Sequence, residues 1–245
     1  MVEKFDPKKE LLGEQASAQT SADIVKTLGS AEEQAWFENE LIRHRSSLKH
    51  LANSASNFER AEIELQIAEA LVGLNKLDEA WQSARPLVEL FIDENNYAYA
   101  VRACRVLYQT DREESIAALG QACWLAVTYP IDPALSIEML HYIIDETPDQ
   151  SDGAAVAAMA AHYIADMRGA EQHENLTFLT KQILAKVAKR HRNIEDEESI
   201  KIWIEILELN DTDQLFERLA KIIDVMVDDQ WWFSRDELRA QLPVN

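Results

Sequence analysis

From Ser30 to the end of the 245-residue chain, apolar residues recur three and four positions apart, and the breaks between these runs are only two to six residues long. That period is the signature of helices with one apolar face. Links so short force neighbouring helices antiparallel. No stretch alternates apolar and polar residues long enough to make a strand. The spacing predicts helices over 31–52, 58–74, 77–92, 95–109, 112–128, 133–146, 152–168, 172–191, 196–209, 212–229 and 235–241.

The helix starts carry their own signals. Ser30-Ala-Glu-Glu33, Ser56-Asn-Phe-Glu59, Thr110-Asp-Arg-Glu113 and Ser234-Arg-Asp-Glu237 have the form of capping boxes, in which a hydroxyl accepts a backbone N–H and a carboxylate reaches back. Asp132-Pro133 places a cap before a proline at the first helical position, where the missing N–H costs nothing. Pro86 falls inside the helix over 77–92 and predicts a kink or a break there. Residues 1–29 are weakly periodic and rich in small polar side chains. They read as a mobile N-terminal tail, with one short helix near 22–28, ahead of a single all-helical domain over 30–245.

The helices pair as 58–74 with 77–92, 95–109 with 112–128, 133–146 with 152–168, and 172–191 with 196–209. A two-helix hairpin cannot cover its own apolar face, so a pairing period of about 36–38 residues predicts stacked antiparallel hairpins rather than a closed bundle. Within this pattern, Leu65 to Trp81 resembles a tetratricopeptide (TPR) repeat. Ile67-Ala68 stands where that family places a large then a small residue, Leu71 follows, and Leu77, Ala80 and Ala84 match the opening of the second helix. Leu71 stands where an aromatic is usual. Leu119-Gly120, Cys123 and Asp132-Pro133-Ala134 repeat parts of the pattern in another frame. The resemblance implies an α-solenoid that binds a protein or peptide in a concave groove. Glu146-Thr-Pro-Asp-Gln150 is similar to the acidic loop of chaperones that mature molybdenum oxidoreductases, with Gln150 where that family has histidine.

Charge narrows the partners. The chain has 24 Lys+Arg and 44 Asp+Glu, a formal net charge of −20, most concentrated over 61–150. Such a surface repels nucleic acid and anionic membranes and leaves proteins and peptides as partners. Cys104 and Cys123 have no metal-ligand spacing and read as buried reduced thiols, which with the absence of a signal-like N-terminus suggests a cytoplasmic protein.

Candidate chemistry is sparse. Glu138 and His141 share one helix face, as do His162 and Asp166, so each pair could serve acid–base or metal chemistry. No second Glu-x-x-His, zinc spacing or phosphate-cradling glycine loop accompanies them. No cofactor is expected. The alternative to a binding protein is therefore an enzyme or metal protein built on these pairs. The helix over 95–109 sets Tyr99, Arg102 and Arg105 opposite its apolar face, and tyrosine and arginine are enriched at binding hot spots. If this helix lines a groove with Glu62, Leu65, Glu69 and Val72, the stripe could hold a carboxylate. The arginines could instead pair with Glu69 or Asp111. Trp231-Trp232-Phe233 is expected to cap the C-terminal end of the stack, and with Trp36 and Phe37 could form a dimer interface. Lys181, Lys186, Lys189, Arg190 and Arg192 gather toward one helix end ahead of Glu195 to Glu198. This arrangement suits the helix dipole, or makes a small basic patch for an acidic partner.

Overall fold

The computed structural model describes residues 31–242, all of whose regular structure is helical. The N-terminal tail and the Ser30 box lie outside the described residues. The helices are α1 over 31–50, α2 Asn57–Gly73, α3 Leu77–Ala84, α4 Leu87–Asp93, α5 Tyr97–Tyr108, α6 Ser115–Thr128, α7 Pro133–Glu146, α8 Asp152–Arg168, α9 His173–Arg192, α10 Glu197–Ile206, α11 Thr212–Val227 and α12 Arg235–Ala240.

Local chemistry sets most of these limits. Ser56 accepts from the Glu59 N–H while the Glu59 carboxylate takes the Ser56 N–H, as the box requires. Asp132 caps α7 through the Ala134 N–H, and Ser234 caps α12 through the Glu237 N–H. Thr110 does not start a helix. Its hydroxyl donates to Leu107 O at the end of α5, Asp111 turns left-handed at φ 52°, and α6 begins three residues beyond the expected start. Asn75 and Asn95 end α2 and α4 in the left-handed conformation that asparagine tolerates. The next N–H in each case, Lys76 and Asn96, closes the turn onto Leu71 O and Phe91 O. Pro86 breaks the long helix into α3 and α4, although Arg85 and Pro86 keep helical angles across the junction.

Helix α6 lies at the centre. Ser115 to Thr128 contains no charged residue, and its buried set runs almost without interruption from Ala117 to Ala126. A helix apolar on all sides belongs inside. It packs on α5 and α7, and also on α11, which returns from the C-terminal part of the chain to lie across α6 and α8. Leu215, Leu219, Ile223 and Val227 form the stripe by which α11 docks. Burying each is worth about 1.5–3 kcal/mol. Gly120 makes the approach close, since a Cβ there would stand 2.6 Å from Val227 Cγ2. The alanine run of α8, Ala154 to Ala161, likewise admits its neighbours α7, α9 and α11.

Two expected pairings differ. Helix α9 packs on α8 rather than chiefly on α10, and α10 buries only Trp203, whose indole N–H donates to His191 Nδ1 at 3.0 Å. The Trp231–Phe233 run lies over the middle of the chain, not over its last hairpin. Trp231 and Phe233 meet Trp124 of α6 at 6.1 and 5.6 Å, and Trp232 meets Trp81 of α3 at 6.3 Å. Buried Gln121 accepts the Trp232 N–H, and the Tyr129 hydroxyl donates to Leu238 O. The C-terminal arm is thus fastened to helices more than a hundred residues earlier, because the uncharged face of α6 needs a cover.

Candidate functional site

Helices α2, α5 and α7 present a common face knitted by side chains from one helix to the next. Glu69 of α2 takes two hydrogen bonds from Arg102, at 3.0 and 2.7 Å, and one from Arg105 at 2.9 Å. Arg105 also reaches Glu138 of α7 at 3.0 Å. Tyr99 donates to Glu62 at 2.8 Å, Tyr108 to Glu146 at 2.6 Å, and Tyr142 to Glu138 at 3.1 Å. The partners on different helices lie 33 to 38 residues apart in the chain. Arg102 also lies 5.2 Å from the centre of the Tyr99 ring.

The ladder is half-buried, which makes its pairs matter. Side-chain exposure is 29% for Arg102, 23% for Arg105 and 25% for Glu69. The bond to Glu62, followed by burial, holds the Tyr99 hydroxyl above its ordinary range. Burial, then the bond to Glu146, does the same for Tyr108.

The structure therefore brings Glu62, Glu69, Tyr99, Arg102 and Arg105 together, and the arginines spend their charge on the chain's own glutamates. Val72 is half-buried beside them. Leu65 is 0% exposed and belongs to the core, so it cannot line a groove. Glu138, Tyr108, Tyr142 and Glu146 complete the face; in the sequence Glu138 stands out only for its pairing with His141, and Tyr108, Tyr142 and Glu146 do not read as part of it. Glu138 lies 33 residues after Arg105 and Glu69 lies 36 before it, so only the second spacing falls within the pairing period expected from the sequence.

Among the terminal aromatics, Trp36 is 56% exposed and stands edge-on to Phe37 at 4.8 Å. Phe37 covers Gly73, where a Cβ would meet its ring at 2.5 Å. Trp231, Trp232 and Phe233 are half-buried in the cluster above, with Arg235 over Trp231 and Arg85 over Trp232, each at 4.0 Å.

The pairs weighed for catalysis are engaged elsewhere. Glu138 serves Arg105 and Tyr142, while His141 Nε2 is 3.8 Å from Asp145. His162 bonds Thr180 at 2.9 Å, and Asp166 faces His173 at 3.0 Å. Burial, then Lys181, lowers the His162 pKa. Cys104 and Cys123 are fully buried, and burial pushes both thiols up. Among the described residues no group of three or more His, Cys, Asp and Glu side chains could hold a metal ion, and no helix is long and apolar enough to cross a membrane.

No family model, no curated protein and no solved structure matches the chain.

Proposed function

We propose that this chain is a non-enzymatic binding protein, an adaptor or assembly factor, that engages a protein or peptide through the face shared by α2, α5 and α7. In this reading the helices form a TPR-like stack of hairpins, with α2, α5 and α7 as successive first helices. The observation that carries it is the run of interhelical side-chain bonds at 33–38 residues, close to the period of that repeat. The second-helix side is occupied, since α11 covers α6 and α8 and the aromatic arm covers α3 and α6. That leaves the tyrosine- and arginine-rich side for a partner. The reading places the protein in the cytoplasm, where the buried thiols stay reduced.

The test is site-specific photo-cross-linking in native-cell lysate. A photoreactive residue replaces Gln66 or Gln109, which border the ladder without being part of its ion pairs, or Val225 on α11, which is 80% exposed. One and the same partner should be captured from 66 and 109 and not from 225. Capture from 225 alone would overturn the reading, as would adducts only between copies of this chain.

A further inference from the structure

The ladder that closes the α2–α5 and α5–α7 seams is not repeated between α7 and α9. There, Ile144, Ile183 and Val187 floor a cavity of about 190 Å³ whose other walls are His141, Asp145, Lys186 and Arg190. His141 is three residues beyond Glu138 on α7, so the cavity continues the ladder's face.

The cavity holds unused hydrogen-bonding capacity. Arg190 points its Nη2 at Ile144 O and Thr147 O, carbonyls at the end of α7, at 2.8 and 3.3 Å. That anchors the guanidinium, while its buried Nε makes no hydrogen bond. His141 Nδ1 is also buried without a partner. Lys186 makes no ion pair among the described residues. Two carboxylates stand near: Asp145, 3.8 Å from His141 Nε2, and Asp149, 3.5 Å from Arg190 Nε but 77% exposed. Neither closes the seam as Glu69 and Glu138 close theirs. An Nε–H can be answered only by an acceptor, and Asp149 stands close enough to offset its charge but does not accept a hydrogen bond from it.

In the cavity wall, Lys186 is the cation without an ion pair among the described residues, since Arg190 lies by Asp149 and Lys189 of the same helix pairs with Glu195. Helix α9 carries five cations and one acid, Glu174, in a chain whose net charge is −20. Fields between exposed charges fade over about 10 Å at ordinary ionic strength, so a single anion here responds to α9 while a polyanion responds to the whole surface. Leu179, 48% exposed, lies seven residues before Lys186 on the same side of α9, about 10 Å along the axis.

We propose that the α7–α9 cavity seats one carboxylate of a partner peptide, held by Arg190 Nε and Lys186 Nζ beside the His141 ring, with an apolar residue of that peptide against Leu179. The partner's carboxylate takes the place that Glu69 and Glu138 fill in the neighbouring seams. This deepens the binding role proposed above and rests on it.

The probe is a 15-residue alanine-rich helical peptide with leucine and glutamate seven positions apart, compared with its glutamine counterpart. Both are titrated into the full isotope-labelled chain and followed by NMR. The glutamate peptide should shift amides of 141–145 and 183–190 and bind about tenfold more tightly than the glutamine peptide. Lys186→Gln should remove that tenfold difference, Lys186→Arg should restore it, and neither substitution should alter the spectrum elsewhere. Equal binding of the two peptides, or a difference that survives Lys186→Gln, would sink the proposal. So would absence of shifts at α7 and α9, or sedimentation showing a dimer that buries these residues. Cross-linking from 66 and 109 with no discrimination between the peptides would remove the pocket but keep the binding face. Discrimination without that cross-linking would remove the face.

Discussion

Replacing Gly120 tests whether α11 is seated on α6 as closely as the packing requires. Glycine inside a helix is about 1 kcal/mol worse than alanine, so an isolated α6 would gain from Gly120→Ala. In the folded chain the new Cβ would stand 2.6 Å from Val227 Cγ2, 3.2 Å from Met226 Cβ and 3.4 Å from Ile223 O. Ordinary carbon contacts begin near ~3.5 Å, so the first is about 0.9 Å too close. Val227 cannot turn away cheaply, because a helical valine has one strongly preferred rotamer, and Met226 Cβ moves only with the backbone. Helix α11 must back off, loosening the Leu215–Val227 stripe. Overpacking of this kind costs about 1–3 kcal/mol. Subtracting the helix gain leaves alanine about 0–2 kcal/mol destabilising, and valine about 2–4. Urea unfolding followed by helical circular dichroism reads the change as a lower midpoint with an unchanged slope. Val227→Ala removes the clashing methyl, so with Gly120→Ala it should show a favourable coupling of about 1 kcal/mol or more. A Gly120→Ala chain stabilised by the full ~1 kcal/mol of helix propensity, with no coupling to residue 227, would refute the seating of α11.

Three further outcomes are expected. Glu69→Gln weakens three charge-assisted bonds and should cost about 1–2 kcal/mol in urea unfolding, more than Glu138→Gln, because Arg105 then keeps Glu69; the reverse order would contradict the ladder. Trp203→Ala removes the single buried anchor of α10, so limited proteolysis should cut within 193–211 while the remaining fragment stays helical; resistance equal to the parent would show that other contacts hold α10. His162 is held neutral by burial, below its ordinary value of 6.5, so the unfolded chain binds that proton first. Its stabilising contribution is full above pH 6.5 and lost as pH falls below it, so the stability difference between the parent and His162→Gln should shrink on acidification through that window, measured by urea midpoints.

The legible parts of this fold are those written in local chemistry. The Ser56 box, the Asp132-Pro133 start and the apolar period locate helices to within a few residues, because caps and faces depend on neighbours in the chain. Thr110 shows the limit: the same hydroxyl that can begin a helix can also end one, and Asp111 turning left-handed decides it. The return of α11 and the aromatic arm depends on partners over a hundred residues away, such as Gln121 with Trp232, and no periodicity encodes them. Their trace was the absence of charge from Ser115 to Thr128, which demands cover on every side and could have marked α6 as central. The Arg102 and Arg105 stripe was legible as a cluster, and Glu69 was among the acids expected to pair with it, whereas Glu138 was not and Asp111 instead turns the chain. Which of binding or pairing it served depended on burial.

That burial decides how the face can work. Removing a half-buried guanidinium from its glutamate leaves an unpaired charge, and breaking such pairs costs several kcal/mol when desolvation is substantial. A partner that competed for Arg102 or Arg105 would first have to free them from Glu69 and Glu138. Reversing both arginines would set their new carboxylates against those two glutamates, and so would disrupt the fold together with any binding. In the proposed binding role, recognition on this side would fall to groups that bind without dismantling the ladder: the rings of Tyr108 and Tyr142, and the donors at the α7–α9 seam that make no hydrogen bond. The ladder ties α2, α5 and α7 together, so a partner bound as proposed would meet groups with less conformational entropy left to lose.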